Sequence, residues 1–234
     1  ATTLGAWAPV AGAAVLTLIF VVAFALHHTS APARSAAERA ATLAPASELA
    51  RPTLLVVVGG IFTVGLVFGS TLTSLTAFMQ DAGSAESAGL LYGVMGVGSA
   101  ILALCVAFFS PNFTLRDRQH GFAIFIVAGE ALMSTADSVG MILVSLALTG
   151  IGIGPLLVTL YGFGAARSPI GRSATVMTML GSALMLGQSL AAAITGSVAE
   201  NLGTDPAMTL PLFAAILVML LGIANWLLTP SGRR

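Results

Sequence analysis

"GLVFGSTLTSLTAF", residues 65–78, lines up without gaps on "GIGIGPLLVTLYGF", residues 150–163, and the reading of the whole chain turns on that pairing. Gly65 matches Gly150, Gly69 matches Gly154, Leu72 matches Leu157, Leu75 matches Leu160 and Phe78 matches Phe163. At the same offset Gly96 pairs with Gly181. Both copies lie in long apolar runs, so the meaning of the match depends on what separates them.

Of the 234 residues, 57% are hydrophobic and 8% charged, far from the roughly 25% charged fraction of a soluble domain. This composition is that of an all-α membrane protein. A bilayer core of about 30 Å needs about 20 apolar residues in helix. Seven stretches qualify: 4–26, 53–80, 88–109, 121–137, 139–166, 173–198 and 207–229. The fourth is the shortest. The second copy lies three spans further along the chain than the first, an odd offset, so it is inverted relative to the first. Inverted three-helix repeats are a construction principle of secondary transporters, whose substrate sites lie near the midplane where the repeats meet.

The chain opens on Ala1 and lacks a basic segment followed by a cleavage site, so 4–26 reads as a spanning helix with more chain expected upstream. Residues 27–52 form the one long polar connection, read as a surface linker that is partly helical through "SAAERAATLA". The other connections are short and favour antiparallel neighbours in one bundle.

Charge placement sets the orientation. Arg34, Arg39 and Arg51 occupy the first connection, Arg116 and Arg118 the third, Arg167 and Arg172 the fifth, and Arg233 and Arg234 end the chain. The alternate connections hold Asp81 and Glu86, then Asp137, then Glu200 and Asp205. With seven spans all nine arginines fall on one side, which the positive-inside rule makes cytoplasmic. The N-terminus is then outside, the C-terminus inside, and the membrane the cell's inner (plasma) membrane.

Several side chains could line a polar path. Thr63, Ser70, Ser74 and Phe78 form a stripe on the 53–80 helix. The alternative is that these hydroxyls bond to backbone and ease helix packing. In the partner copy Pro155 removes a backbone donor and its flanking glycines loosen the helix, so a kink or partial unwinding is expected, followed by Thr159 and Tyr161. Thr175, Thr178, Ser182 and Gln188 mark the 173–198 helix, with Gln188 read as an interhelical hydrogen bonder before a ligand contact. Arg116, Asp117 and Arg118 sit in a short connection where they either latch helix ends or simply mark the inner face.

Enzymes are disfavoured. No histidine lies deep in a span to serve as the base a serine nucleophile needs. No cluster of His, Cys or carboxylates suggests a metal site, and no cofactor or nucleic-acid partner is implied. The chain has no lysine, which excludes a retinal Schiff base. Glu130, in "VAGEALM", is the one deep ionisable residue. A charge at the centre of a spanning helix costs about 2.5–3.5 kcal/mol on insertion scales. Glu130 therefore reads either as a protonated, hydrogen-bonded structural acid or as a proton carrier.

"LALTGIGIGPLLVTLYGF" (146–163), followed by "SPIGRSATVMTMLGSALMLGQSLAAAITGSVAENLG" (168–203), resembles the tenth and eleventh helices of the major facilitator superfamily, particularly bacterial efflux-type members. The resemblance implies that residues 1–26 are family helix six, 27–52 the central cytoplasmic linker and 53–234 a C-terminal six-helix bundle. It further implies alternating access, with a proton exchanged for a drug-like or sugar-like solute and with the cavity lined by 53–80 and 139–166. Glu130 would then lie on the ninth helix, which braces the bundle from behind. "LRDRQHG" resembles a degenerate copy of the family's cytoplasmic Gly-Asp-Arg-Gly-Arg motif, keeping Gly121 but not the terminal arginine pair. The family uses twelve helices, so the partners implied are membrane lipid, a small solute, and a missing N-terminal half or a second copy. The alternative is a non-transporting membrane interaction or receptor-like module.

Overall fold

The computed structural model describes residues 8–26, 43–110 and 113–228. The first turn of the first expected span, most of the linker including Arg34 and Arg39, and the terminal Arg233 and Arg234 lie outside the described residues. Two compact units divide the chain, 1–42 and 43–234. In the first, α1 (Ala8–Leu26) is one apolar helix without a charged residue. The second holds α2 (Pro52–Asp81), α3 (Ala88–Cys105), α4 (Leu115–Met133), α5 (Val139–Ala166), α6 (Ser173–Leu202) and α7 (Thr204–Leu227). Three short 3-10 turns, Ala46–Ala50, Ala85–Ser87 and Val106–Phe108, complete it, and no strand occurs among the described residues.

Each helix starts where the local chemistry allows. Pro52 opens α2, where a missing backbone donor costs nothing. Thr114 and Asp117 form a reciprocal capping box at the start of α4, and the Ser138 hydroxyl accepts from the Met141 amide at the start of α5. Gly203, at φ 95°, makes the single-residue break between α6 and α7, a conformation that favours glycine.

Among the described residues, five helical segments are long and apolar enough to cross a membrane: Pro52–Asp81, Ala85–Phe108, Val139–Ala166, Ser173–Leu202 and Thr204–Leu227. The protein is thus all-helical among its described residues and compatible with a multi-pass membrane protein. α4 carries Arg116, Asp117, Arg118 and Glu130 in its 19 residues. It corrects the span expected at 121–137. The capping box pulls the helix start back to Leu115, and the helix ends at Met133. Arg116, Asp117 and Arg118 are therefore in its first turn, not in a connection.

α2 packs along α6 and α7, while α5 packs along α3 and α4; α4 also meets α7. The principal apolar core joins Ile61, Val64, Ile126, Ile153, Leu160 and Leu180. A second cluster, around Leu75, Met95, Met133, Ile142 and Leu146, fills the end nearer the α2–α3 turn. Glycines set the closest approaches. A methyl group on Gly65 or Gly69 would overlap the carbonyl oxygens of Leu184 and Gln188 on α6, and one on Gly154 would overlap that of Ser99 on α3. One on Gly150 would lie 2.6 Å from the Met95 oxygen. Backbones this close need residues without side chains.

α5 stays helical through Pro155, which corrects the expected unwinding. Gly150, Gly152 and Gly154 seat the preceding turn directly against the backbones of Met95, Phe122 and Ser99, so neighbours on both sides hold the helix together where the proline removes a hydrogen bond.

Candidate functional site

Gly129 brings α4 onto α5. A methyl there would come within 2.7 Å of the Thr149 amide nitrogen and 2.8 Å of the Ser145 oxygen. The next residue, Glu130, is thereby inserted between α2 and α5 with 0% exposure. The Thr71 hydroxyl of α2 donates to Glu130 Oε1 at 2.9 Å, and the Thr149 hydroxyl of α5 donates to the same oxygen at 3.2 Å. Oε2 has no hydrogen-bond partner, and neither has the hydroxyl of Ser145, one turn before Thr149. Tyr92 of α3 lies within electrostatic reach of the acid and donates to the Phe68 oxygen at 3.3 Å.

This arrangement joins three helices through one acid and two alcohols. Hydroxyl donors serve a carboxyl group in either protonation state, because Oε1 remains an acceptor in both. The second oxygen is left for a proton. A proton there would leave both hydrogen bonds to Oε1 in place.

The stripe Thr63, Ser70 and Ser74 is buried, and each hydroxyl donates to its own helix: Thr63 to Gly60 O at 2.8 Å, Ser70 to Leu66 O at 2.7 Å, Ser74 to Ser70 O at 2.8 Å. Thr159 does the same to Pro155 O at 2.8 Å. Phe78 packs against the second apolar cluster and Tyr161 against the first. Gln188 is partly exposed and contributes its backbone oxygen to the Gly69 contact.

Polar side chains line a groove on α6. Thr175, Thr178 and Ser182, with Val58, Met179 and Leu186, bound a groove of about 630 Å³. That volume lies within the roughly 300–1,000 Å³ of small-molecule sites. The groove is walled by α6 and by Val58 of α2, and its other side is open.

At the end carrying Arg116, Asp117 and Arg118, Asp117 caps α4: its Oδ2 accepts from the Thr114 hydroxyl at 2.7 Å. Arg118 donates from Nε to the Phe113 oxygen at 2.8 Å and lies over the rings of Phe109 and Phe113. The interhelical polar network here is a different one. Arg167 Nη1 donates to Thr53 O at 2.6 Å and to Asn225 Oδ1 at 2.7 Å, and Asn225 Nδ2 donates to Gln119 Oε1 at 2.6 Å. It ties together α2, α4, α7 and the end of α5, and sequence patterning missed it because Asn225 and Gln119 are single polar residues far apart in the chain. Asn225→Leu strips Gln119 of its donor at a position 3% exposed. The expected cost is about 1–3 kcal/mol, read as a lower unfolding midpoint in detergent, and an unchanged midpoint would mean that water replaces the contact.

Among the described residues no group of His, Cys, Asp and Glu could hold a metal ion. No family model matches the chain, and no curated protein matches it significantly.

Proposed function

We propose that this chain is half of a secondary active transporter working by alternating access, its last six helices forming one major-facilitator-type bundle of two inverted three-helix repeats. The observation that carries this reading is the exchange of contacts between the repeats. Gly65 and Gly69 of α2 meet carbonyls four residues apart on α6, Leu184 and Gln188; their counterparts Gly150 and Gly154 of α5 meet carbonyls four residues apart on α3, Met95 and Ser99. The first helix of each repeat thus packs on the second helix of the other. α2 with α7 and α5 with α4 repeat the exchange for the third helices. An approximate twofold between repeats predicts which helices pair in this way, with the α3 contacts one helical turn from the positions that the repeat's own offset gives, whereas a sequential up-and-down bundle would pair each helix with its neighbour in sequence.

The one-sided groove on α6 fits a cavity completed by a second bundle, supplied by the same longer chain, a separate chain or a second copy. Seven spans, with the arginine side cytoplasmic, the N-terminus outside and the C-terminus inside the plasma membrane, remain the orientation that the charges favour. Glu130 is the candidate for coupling to protons, and the solute exported is a drug-like or sugar-like compound. No enzymatic activity or cofactor is part of this reading.

The test is transport. Membrane vesicles carrying the protein with its completing bundle should accumulate or release a solute from a panel of lipophilic cations and sugars, driven by a pH gradient and abolished by a protonophore. Solute flux absent across the panel, together with a soluble partner binding residues 27–52, would establish the receptor-like alternative instead.

A further inference from the structure

α6 presents an exposed face that carries hydroxyls: Thr175, Thr178, Ser182 and Ser189 all lie on it. Positions 175, 182 and 189 are each about two turns apart and so share one side of the helix. α3 is also widely exposed, but it is built differently. Leu90, Val94, Val97, Ile101 and Leu104 stand on its open side, and no exposed residue of α3 carries a hydroxyl. Its Tyr92 turns to the Phe68 oxygen and its Ser99 packs on Gly154. A face that meets only hydrocarbon needs no hydroxyl, so the stripe on α6 marks a different neighbour.

The first part of that stripe is a wall of the larger groove. There the Thr178 hydroxyl donates to the Ala174 oxygen at 3.0 Å, so its proton is committed to its own helix. The hydroxyls of Thr175 and Ser182 have no hydrogen-bond partner among the described residues, and both residues are exposed where they line the groove. Seven residues of helix place them about 10 Å apart along the axis. Between them the wall is apolar, formed by Met179 with Val58 of α2, and Leu186 continues it. Among the described residues no charged side chain lines the groove.

We infer that the groove holds an elongated, uncharged molecule with two hydrogen-bond acceptors about 10 Å apart, one taking the Thr175 proton and the other the Ser182 proton, its apolar middle lying on Met179 and Val58. This rests on the reading of the groove as the solute cavity and narrows the part of the solute that this half holds. A charged group would be desolvated here without a counter-charge. A sugar would leave most of its hydroxyls unpaired against Val58, Ala183 and Leu186. A plain hydrocarbon would match the apolar wall but leave both donors unused.

The probe is dimethyl nonanedioate with a photoactivatable diazirine at its middle carbon, added to the full chain in dodecyl maltoside, with crosslinks mapped by peptide mass spectrometry. Labelling is expected at residues 174–186 and at Val58. Thr175→Val and Ser182→Ala should each weaken it about tenfold, the effect of one lost hydrogen bond. The matching monoester, diazirine methyl nonanoate, should bind the parent about as weakly as the diester binds either single variant, and neither variant should weaken it further, because one hydroxyl remains to serve its single acceptor. Both variants should melt with the parent, since neither hydroxyl holds a partner. Excess tetraphenylphosphonium should leave the labelling unchanged, and displacement by it overturns the assignment to an uncharged ligand. Diester labelling that is equal in parent and variants, or as strong on α3 as on α6, overturns the inference. So does a change of oligomeric state in either variant with labelling unaltered, which would make the stripe a contact between copies. Because binding is read on this chain alone, absent flux in the transport assay refutes the transporter and leaves the site, whereas unaltered labelling refutes the site and leaves the transporter.

Discussion

Alanine at Gly69 or Gly154 is expected to lower the unfolding midpoint sharply, and the double variant to yield no monodisperse protein in detergent. Exchanging glycine for alanine in a helix interior is by itself favourable by about 0.5–1 kcal/mol. Overpacking a tight contact costs about 1–3 kcal/mol, occasionally more. The second effect wins here because the new methyl group meets backbone, the carbonyl of Gln188 in one case and of Ser99 in the other. A carbonyl inside a helix has no rotamer to escape into, so whole helices must separate. Gly140, also on α5, has open space around its Cβ position. Gly140→Ala is therefore expected to be neutral or slightly stabilising, and it controls for the propensity effect. If Gly154→Ala melted with the parent protein, α5 and α3 would not touch as described.

The same glycines explain how much could be read beforehand. Gly65, Gly69, Gly150 and Gly154 stood out in the sequence, and each sits against a neighbouring helix backbone, where close contact restricts a position to one residue type. The 139–166 helix was legible to the residue, since its apolar run is bounded by the Ser138 cap and by Arg167. Residues 115–120 were not. Their charges hide a helical turn whose ends are satisfied by the Thr114–Asp117 box and whose Arg118 folds back on Phe109 and Phe113. Polarity was an uneven guide to open space, because a serine or threonine in a helix can spend its hydroxyl on its own carbonyls, as Thr63 and Ser74 do. Glu130 stood out as a lone acid, but its partners did not. Thr71 and Thr149 are 59 and 19 residues away, and only the packing of three helices brings them together.

Glu130→Gln is expected to leave the fold intact and to remove the dependence of transport on the pH gradient. Glutamine has the same length and keeps an oxygen that accepts from both Thr71 and Thr149, so the change in stability should stay within about 1.5 kcal/mol, the scale of a single hydrogen bond. The amide cannot exchange a proton, so any coupling carried by the acid is lost. Glu130→Leu separates the two roles further. It takes the shared acceptor from two buried hydroxyls, but each can turn to the carbonyl one turn back, Val67 for Thr71 and Ser145 for Thr149, as their neighbours already do. Its destabilisation should therefore be modest, a few kcal/mol at most if both hydroxyls stay unpaired. Flux measured against imposed pH gradients in vesicles, alongside unfolding midpoints for both variants, decides the matter. A glutamine variant that transports with the parent's pH dependence would make Glu130 a structural acid that pins α4 between α2 and α5, and proton coupling would have to reside in the completing half.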